Sequence, residues 1–345
     1  MAIVLAVIIG LPLLYVAGHI LFAIATKFSP KPVEILEENK DVAQSSDSVF
    51  SFLTWNVGYG ALGKDVDFFY DNGKMVITPK ELVEKYIAGQ NATLAKFNDY
   101  DFIFLQEVDK EGKRSHDINM AEKFQQTLAN HHGVFTTNYD VKYLPFPWTE
   151  PLGRIYGGLE SFSKLTPTES KRIALPGISD FPRKLFYLER CLLIQRFPLA
   201  NGKELIAINQ HLEAYDDGGV KRAQMKVMKQ YAEEEFAKGN YVVIGGDWNI
   251  APPDFNVHKW EKEPESDPLY LMNNDSIFIP NWQYAYDSET PTNRKNNRPL
   301  DDKTFTTVID YFYISPNVEV VEVKGVDAGF TNSDHNPVSL KIRLK

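Results

Sequence analysis

Hydrophobic residues fall into short runs separated by polar turns along most of the chain. Eight of these runs are 4 to 8 residues long and rich in β-branched and aromatic side chains, a composition typical of buried strands. In the last run, Val338, Leu340, Ile342 and Leu344 alternate with polar residues, as in a strand with one solvent-facing side. The predicted strands cover residues 49–55, 101–106, 190–196, 204–210, 241–244, 308–315, 318–323 and 338–344.

Three longer stretches between these strands have apolar residues at helical spacing. The first begins at Thr78-Pro79-Lys80-Glu81, a capping box with proline at the first helical position, and extends to about Phe97. The others cover residues 118–130 and 220–237, and Gly239 marks the end of the last. Several strand pairs are too close in sequence for a helical crossover, so the pattern predicts a layered α/β (α+β) sandwich rather than a Rossmann fold.

The N-terminal segment has a different pattern, because residues 2–26 contain no Asp, Glu, Lys or Arg. A helix of that length is about 37 Å long, enough to cross a bilayer. We therefore expect a single-pass transmembrane anchor over residues 1–27, while Ala23-Ile24-Ala25 leaves a cleaved secretory signal open. Lys27 and Lys31 follow it, and the positive-inside rule would place the large domain in the cytoplasm, although two lysines leave the side open.

Residues 28–48 offer little apolar surface to bury and are expected to form a linker to a catalytic domain over residues 49–345. The chain has 46 acidic and 37 basic side chains, a formal net charge of -9. That balance argues against a protein that coats nucleic acid, because such binding depends on Lys and Arg neutralising phosphates. The single cysteine, Cys191, excludes an intramolecular disulfide.

Polar clusters recur where the predicted strands end. Each cluster alone is adequately explained by a turn or a solvated side chain. Asp310 differs, because it lies inside an apolar strand and needs a partner such as a histidine or a metal ion when it is buried. The clusters are Trp55-Asn56, Gln106-Glu107, Gln210-His211, Asp247-Trp248-Asn249 and Ser333-Asp334-His335.

Taken together, these clusters supply a set of hard oxygen ligands and two histidines. Carboxylate and amide oxygens suit a magnesium ion, which takes its remaining ligands from water and substrate phosphate. Histidines donate hydrogen bonds to a phosphoryl transition state or move protons. No thiol or serine–histidine nucleophile is apparent, so water is the expected attacking group. The pattern therefore predicts metal-assisted hydrolysis of a phosphate ester.

The ordered series TWN, QE, HL, GGDWN, IDY and SDH resembles the endonuclease/exonuclease/phosphatase superfamily, whose relatives include pancreatic-type deoxyribonuclease, exonuclease III and neutral sphingomyelinase. The resemblance covers the chain from residue 49 onward. It implies the DNase I-like fold, a four-layer α/β/β/α sandwich. His211 is a feature of the deoxyribonuclease-like and sphingomyelinase-like branches, whereas the exonuclease III branch has a different residue there.

The resemblance also implies a role for each residue of the set, with Mg2+ as cofactor and Mn2+ as the alternative. Asn56, Glu107 and Asp334 match the metal side, and Glu107 matches the principal ligand. The catalytic positions are His211; Asp247, which orients or deprotonates the attacking water; Asn249, which steadies the phosphate; and His335, which faces the scissile phosphate and is oriented by Asp310.

Substrate identity is less constrained than the reaction. The expected anchor favours a phospholipid or sphingomyelin-type phosphodiester, and the alternatives are a nuclease acting on DNA or RNA and a sugar or inositol phosphatase. A non-catalytic module that binds a phosphate ligand at the membrane is a further alternative. A complete set of functional residues argues against that module, and no protein partner is inferable.

Three local features bear on the substrate. The aromatic loop 144–148 either touches a membrane, caps the cleft or packs inward. The basic residues of 291–298 either bind a second substrate phosphate or are solvated loop charges. Arg190 either faces the cleft or pairs with its neighbour Glu189.

Overall fold

The computed structural model describes residues 2–215, 218–262 and 278–345, with side chains described from Gly10 onward. The helices are α1 (Ala2–Thr26), α2 (Lys80–Leu94), α3 (Met120–Thr127) and α4 (Gly219–Ala237). The strands are β1 (Val33–Glu38), β2 (Val49–Asn56), β3 (Phe102–Gly112), β4 (His132–Leu144), β5 (Gly153–Ser163), β6 (Glu169–Ala174), β7 (Cys191–Pro198), β8 (Glu204–His211), β9 (Tyr241–Asp247), β10 (Gln283–Ala285), β11 (Asn293–Arg294), β12 (Thr306–Thr307), β13 (Asp310–Ile314), β14 (Val318–Gly325) and β15 (Val338–Leu344).

Two large mixed sheets form the centre of the described structure. The first has the strand order β1-β6-β7-β8-β9-β13-β10 and the second the order β14-β15-β2-β3-β5-β4. β8 and β9 are parallel in the first sheet, β2 and β3 are parallel in the second, and the other neighbours in both sheets are antiparallel. A short β11–β12 pair lies outside both sheets.

The two sheets pack face to face through a core of large aromatic side chains. Phe52 and Phe102 stack with ring centroids 4.5 Å apart, and Phe52 meets Phe312 of the opposite sheet at 6.1 Å. All three rings are fully buried. Truncating one of them to alanine would cost about 3–5 kcal/mol, so this layer is a large part of what holds the sheets together.

Helices cover the outer face of each sheet. Met225, Met228 and Ala232 of α4 pack against the first sheet, and α2 and α3 cover the second. Their order is helix, sheet, sheet, helix, and the four-layer sandwich predicted for the body is confirmed. All eight predicted strands and all three predicted helices of the body are present, and their bounds agree within about three residues except that β3 continues to Gly112.

The N-terminus of α2 differs from the sequence prediction. Pro79 precedes the first helical residue, and no side-chain hydrogen bond caps the helix. The Thr78 hydroxyl instead donates to the carbonyl oxygen of Ala61, 2.8 Å away. The expected capping residue therefore stabilises the loop around Ala61. In α3, by contrast, the Asn119 side chain caps the helix by accepting from the backbone N–H of Glu122.

The structure also differs from the expected linker, since part of 28–48 forms β1. This strand pairs antiparallel with β6 at the edge of the first sheet. Glu37 accepts hydrogen bonds from the Ser170 hydroxyl at 2.7 Å and from His132 Nε2 at 2.9 Å. Polar contacts hold this strand while Val33 and Ile35 stay exposed, which explains why apolar patterning did not predict it.

The helix α1 packs against β4 and against the turn at 183–185. Within the described residues, no helix combines the length and the apolar character that crossing a membrane requires, and the anchor expected over 1–27 is not found there.

Candidate active site

The carboxyl ends of two parallel strand pairs meet at one edge of the sandwich. In the second sheet, Asn56 is the last residue of β2, and Glu107 lies in β3 directly after the segment paired with β2. In the first sheet, His211 and Asp247 are the last residues of β8 and β9. The Asn56 amide donates to Glu107 Oε1 at 3.0 Å and to Asp247 Oδ2 at 2.9 Å. One buried side chain thus joins the two sheets and brings their functional carboxylates together.

A bulge in β3 aims Glu107 at this edge. The register with β5 shifts between Leu105 and Val108, and Glu107 adopts φ 57°, a conformation that residues other than glycine rarely take. Strain of this kind is typical of functional sites. Burial and the neighbouring Asp334 carboxylate raise the pKa of Glu107, against the opposing effects of Arg114 and Asn56.

The turn after β9 positions Asp247 and Asn249. Gly246 has φ 146°, and a Cβ at this position would overlap the carbonyl oxygen of Gln210, so the turn requires glycine. Asp247 Oδ1 accepts from the backbone N–H of Asn249 at 2.9 Å. The Asn249 amide nitrogen donates to the carbonyl of Leu212 at 3.0 Å, and the residue lines the cleft.

The buried Asp310 has a histidine as its partner, one of the two alternatives that the sequence left open. Asp310 lies opposite Asp247 in the β13–β9 register, and its Oδ2 is 2.8 Å from His335 Nδ1. The other ring nitrogen, Nε2, lies 3.7 Å from Asp247 Oδ2. Burial alone would lower the pKa of His335, but Asp310, Asp247 and Asp334 outweigh it and raise that pKa well above its usual value. The imidazolium form is therefore favoured.

The second histidine is electrostatically different from the first. His211 Nε2 lies 3.4 Å from Asp247 Oδ2 and 3.9 Å from Glu107 Oε1. Burial, Arg190 and His335 lower its pKa well below the usual value. His211 is therefore neutral at pH 7 and acts through hydrogen bonding rather than charge.

The third predicted metal ligand, Asp334, lies next to this group. Its Oδ2 accepts from the Asn296 amide at 2.6 Å, and its Oδ1 lies so close to Gly58 that a Cβ there would be 2.7 Å away. The negative charge of Asp334 acts on Glu107. Two carboxylates that repel one another across a cleft fit the hard oxygen set that holds a divalent cation.

All eight predicted site residues therefore lie around one cleft edge. Another cluster of potential metal ligands, Asp247, Asp310 and His335, has ligand atoms within 4.8 Å of one another. In that cluster Asp310 and His335 already bond to each other. The described residues bring together the predicted sites Asn56, Glu107, His211, Asp247, Asn249, Asp310, Asp334 and His335.

Sequence reasoning missed the amides that support this set. The Asn293 side chain lies 3.1 Å from His335 Nε2, and Asn296 holds Asp334. Both belong to the segment 291–298, in which the sequence indicated only the basic residues as candidates for substrate binding. Of those, Arg294 is 1% exposed and donates to the carbonyls of Leu62, Gly63 and Val66, so it fastens a loop and is not solvated.

The cleft is a pit of about 430 Å³. Asp247, Asn249 and His335 line it, and Arg190 also faces the cleft, which is one of the two alternatives left open by the sequence. The remaining wall is largely apolar, formed by Leu144, Phe146, Leu152, Ile155, Phe186 and Leu188.

Residues 53–335 match the family model described as endonuclease/exonuclease/phosphatase family. The chain belongs to this family. It is thus a metal-dependent enzyme that hydrolyses phosphoric esters, as the sequence resemblance implied.

Solved structures support the same fold at low sequence identity. A family protein from Bacteroides vulgatus has 16% identity and a TM-score of 0.55, covering 87% of this chain and 100% of its own. The human Nocturnin catalytic domain with bound sulfate has 16% identity and a TM-score of 0.52, covering 86% and 95%. ANGEL2, a 2',3'-cyclic phosphatase, has 14% identity and a TM-score of 0.54, covering 92% and 99%. No curated protein matches the chain in sequence.

Proposed function

We propose that the chain is a Mg2+-dependent phosphodiesterase in which water attacks phosphorus. The observation that carries this proposal is the grouping of the Asp310–His335 pair, Asp247 and Glu107 at the edge of one cleft. The His335 imidazolium beside the Asp247 carboxylate supplies an acid and a base within reach of the same phosphate.

Glu107, Asp334 and Asn56 are the residues that would hold the ion. All three offer oxygen ligands, and Mg2+ prefers oxygen over nitrogen or sulfur. When bound, Mg2+ neutralises negative charge on the carboxylates and on the substrate phosphate. Mn2+ would suit the same ligands.

The remaining side chains perform proton transfer and orientation. Asp247 Oδ2 is fixed by Asn56 and accepts the proton of the attacking water. His335, held by Asp310 through Nδ1, presents Nε2 to a non-bridging oxygen of the phosphate or to the leaving oxygen. Neutral His211 donates a hydrogen bond in the same pit, and Asn249 helps to position the phosphate.

An apolar wall beside these residues supports an amphiphilic phosphodiester, that is, a phospholipid-type substrate. The cleft encloses about 430 Å³, and part of its wall carries aliphatic and aromatic side chains. An extended nucleic acid would need a row of phosphate contacts along the surface. An alkyl chain next to the scissile phosphate would instead bury apolar area against this wall.

The rim of the pit supports substrate presentation at a lipid surface. Phe146 is 43% exposed and Trp148 is 64% exposed on the loop that the sequence singled out. Trp148 and the described start of α1, including Leu11 and the 70% exposed Leu14, line one shallow depression. Contiguous exposed apolar surface of this kind is typical of lipid contact. We infer a location at a membrane surface, with either side possible.

Hydrolysis assays with the full chain test this proposal. The substrates are bis(4-nitrophenyl) phosphate, sphingomyelin and phosphatidylcholine vesicles, plasmid DNA and single-stranded RNA, each with Mg2+, with Mn2+ and with EDTA. We expect metal-dependent turnover of the soluble diester and of vesicle lipid. Turnover confined to DNA or RNA would replace the lipid assignment with a nuclease.

Matched variants separate chemistry from fold. Asp247→Asn removes the proposed base and should lower turnover by about 10²–10⁴-fold. Asp302→Asn removes an exposed carboxylate outside the cleft and should leave turnover unchanged. Activity that persists in EDTA would contradict the mechanism. Phosphate binding without hydrolysis of any substrate would favour a non-catalytic binding module.

A further inference from the structure

Four arginines line the cleft, Arg114, Arg183, Arg190 and Arg294, and Arg294 is bonded to backbone carbonyls. Arg114 follows β3 and Arg190 immediately precedes β7. Both act electrostatically on the buried phenol of Tyr139, which also lines the cleft between β4 and its neighbours. Both arginines line the same pit, and the Arg114 Cζ lies 5.5 Å from the ring centre of Tyr139.

The Arg114 guanidinium is held in a fixed plane. Its Nε and Nη2 donate to the two oxygens of the fully buried Asp109 at 2.9 and 2.8 Å, and its Cζ lies 3.9 Å from the ring centre of Tyr59. Among the described residues, none accepts a hydrogen bond from Nη1. An arginine immobilised in this way loses little further entropy when it binds an anion.

A glycine makes this arrangement possible. Gly157 lines the cleft, and a Cβ at that position would overlap Asp109 Oδ1. Asp109 is thus able to reach its bidentate position only because β5 has no side chain there. The carboxylate that orients Arg114 is built into the sheet rather than placed by a surface loop.

Arg190 is more deeply enclosed and less completely bonded. It is 3% exposed, and its Nε has no hydrogen-bond partner in the described structure. The nearest carboxylate oxygen, Glu213 Oε2, lies 3.7 Å from Nε, which is too long for a hydrogen bond. Nη1 donates only a long 3.3 Å bond to the carbonyl of His211. Glu213 balances the charge of Arg190 but leaves its donors available.

The other oxygen of Glu213 is bonded to groups outside the pair. Its Oε1 accepts from the Tyr187 hydroxyl at 2.5 Å and from the backbone N–H groups of Ala214 and Tyr215 at 3.1 and 3.2 Å. A buried donor without an acceptor is unfavourable, and native proteins rarely keep one without a function. Arg190 therefore combines a place in the lining of the pit with an incompletely bonded guanidinium group.

We propose that Arg114 and Arg190 form a second anion subsite, which binds a phosphate group of the substrate other than the scissile one. This inference rests on the proposed function only in placing the scissile phosphate at Asp247 and His335. Planar guanidinium groups match phosphate oxygens, and the apolar surroundings strengthen the interaction. The substrate class is a phosphoester with a second phosphate, carried by a lipid headgroup or by a soluble molecule.

Competitive binding to the full chain in the presence of Mg2+ tests the subsite. The probes are propane-1,3-diol bisphosphate and propyl phosphate, which share the carbon chain and differ by one phosphate, and both are measured by calorimetry. We expect the bisphosphate to bind about ten-fold or more tightly than the monophosphate. A second arm uses phosphatidylcholine vesicles with and without phosphatidylinositol phosphate, and tests whether a lipid-borne phosphate reaches the site.

Lysine variants then assign the preference to the two arginines. Arg114→Lys and Arg190→Lys keep the charge but lose the planar fork, and each should bring the two soluble probes to within about two-fold of one another. Arg154→Lys is the matched control, because Arg154 pairs with Glu111 and Asp140 on the same sheet and does not line the cleft. It should keep the full preference. Thermal melting checks that each variant is folded.

The wild-type comparison decides the proposal even if a variant fails to fold. A preference for the second phosphate in either arm supports the subsite. Equal affinities in both arms, or a preference that survives in folded lysine variants, would overturn it. Hydrolysis of bis(4-nitrophenyl) phosphate, which has one phosphate, reports separately on the proposed function. Absence of that hydrolysis with the preference intact would contradict the function while supporting the subsite.

Discussion

At the scale of single residues, two histidines beside the same Asp247 carboxylate have pKa values shifted in opposite directions. His335 is surrounded by Asp310, Asp247 and Asp334, which raise its pKa despite burial. His211 faces Arg190 and His335 itself, so burial lowers its pKa without compensation. The charged ring is thus suited to donate a proton and the neutral ring to orient a partner.

Replacing the aspartate behind His335 tests this arrangement. Asp310→Asn keeps the shape of the side chain but removes the charge that favours imidazolium, so we expect turnover of bis(4-nitrophenyl) phosphate to fall by about 10²-fold or more. The alkaline limb of the profile, where His335 loses its proton, should shift to lower pH, because loss of Asp310 lowers the pKa of that ring. A pH–rate profile of the variant checks both effects.

The double variant Asp310→Asn/His335→Gln provides the control. Residues that act as a unit are not additive, and the double variant should be about as slow as His335→Gln alone. Fully additive losses would show that Asp310 acts independently of the histidine.

The sequence indicated that a buried Asp310 needs a partner, but it gave no signal for the residues that surround the Asp310–His335 pair. Asp310 stands among apolar residues, and a buried carboxylate requires a partner, which the structure identifies as His335. The bulge that aims Glu107 depends on its register with β5, a strand that the pattern did not predict. Asn293 and Asn296 carry no local signal, because only the fold brings them beside His335 and Asp334.

At the scale of helices and strands, polar contacts add to apolar packing in stabilising the position of α4 on the first sheet. Glu235 of α4 accepts from Arg196 of β7 at 2.9 and 3.1 Å and from Asn240 at 2.7 Å. Burial alone would raise the pKa of Glu235, but bonds from Arg196, Lys238 and Asn240 outweigh it and lower the pKa to about 2. This carboxylate therefore ties the outer helix to the first sheet.

The depressed pKa gives a pH-dependent stability. A carboxylate whose folded pKa lies below its unfolded value of about 4.3 stabilises the fold above that pH, and the contribution is lost as the pH falls toward 2. Glu235→Gln should reduce the free energy of unfolding by about 2 kcal/mol at pH 7, and the difference should shrink with acidification. Denaturant unfolding between pH 7 and pH 3 measures it, with the exposed neighbour Glu234→Gln as control. A constant difference at all pH values would contradict this origin.

The edge strand β1 lies within residues 28–48, the segment that composition indicated to be a linker. Strand propensity and apolar alternation are weak in 28–48, and its order comes from backbone pairing with β6 and from the Glu37 contacts. The unpredicted strands β4 and β5 have the same character, with many polar or partly buried positions. Backbone pairing with neighbouring strands determines these elements, which apolar alternation does not mark.

Removing β1 should therefore destabilise the catalytic body. A chain that starts at residue 49 leaves the edge of β6 unpaired and Ser170 and His132 without Glu37, and we expect a loss of about 2 kcal/mol or more. A chain that starts at residue 28 keeps β1 and is the matched control. Denaturant midpoints of the two chains give the comparison, and equal midpoints would show that β1 adds nothing.

At the scale of the whole molecule, the fold places hydrolytic chemistry, an apolar wall and an apolar rim along one path. The strand ends of both sheets supply the reactive groups, and β4 and the loop after it extend the pit toward α1. A catalytic pit that opens beside exposed apolar surface favours a substrate that is itself part of a lipid surface.

This arrangement predicts that rim residues matter only when the substrate is in a vesicle. Trp148→Ser removes the largest exposed apolar side chain of the rim, and it should lower the initial rate on phospholipid vesicles by about ten-fold, since interfacial binding scales with buried apolar area. Turnover of soluble bis(4-nitrophenyl) phosphate should be unchanged, because Trp148 does not line the catalytic pit. Val321→Ser, at an exposed position on β14 remote from the cleft, is the control and should affect neither rate. An equal loss on both substrates would mean that Trp148 shapes the pit. An unchanged rate on vesicles would show that the apolar rim does not contribute to the binding of vesicle substrates.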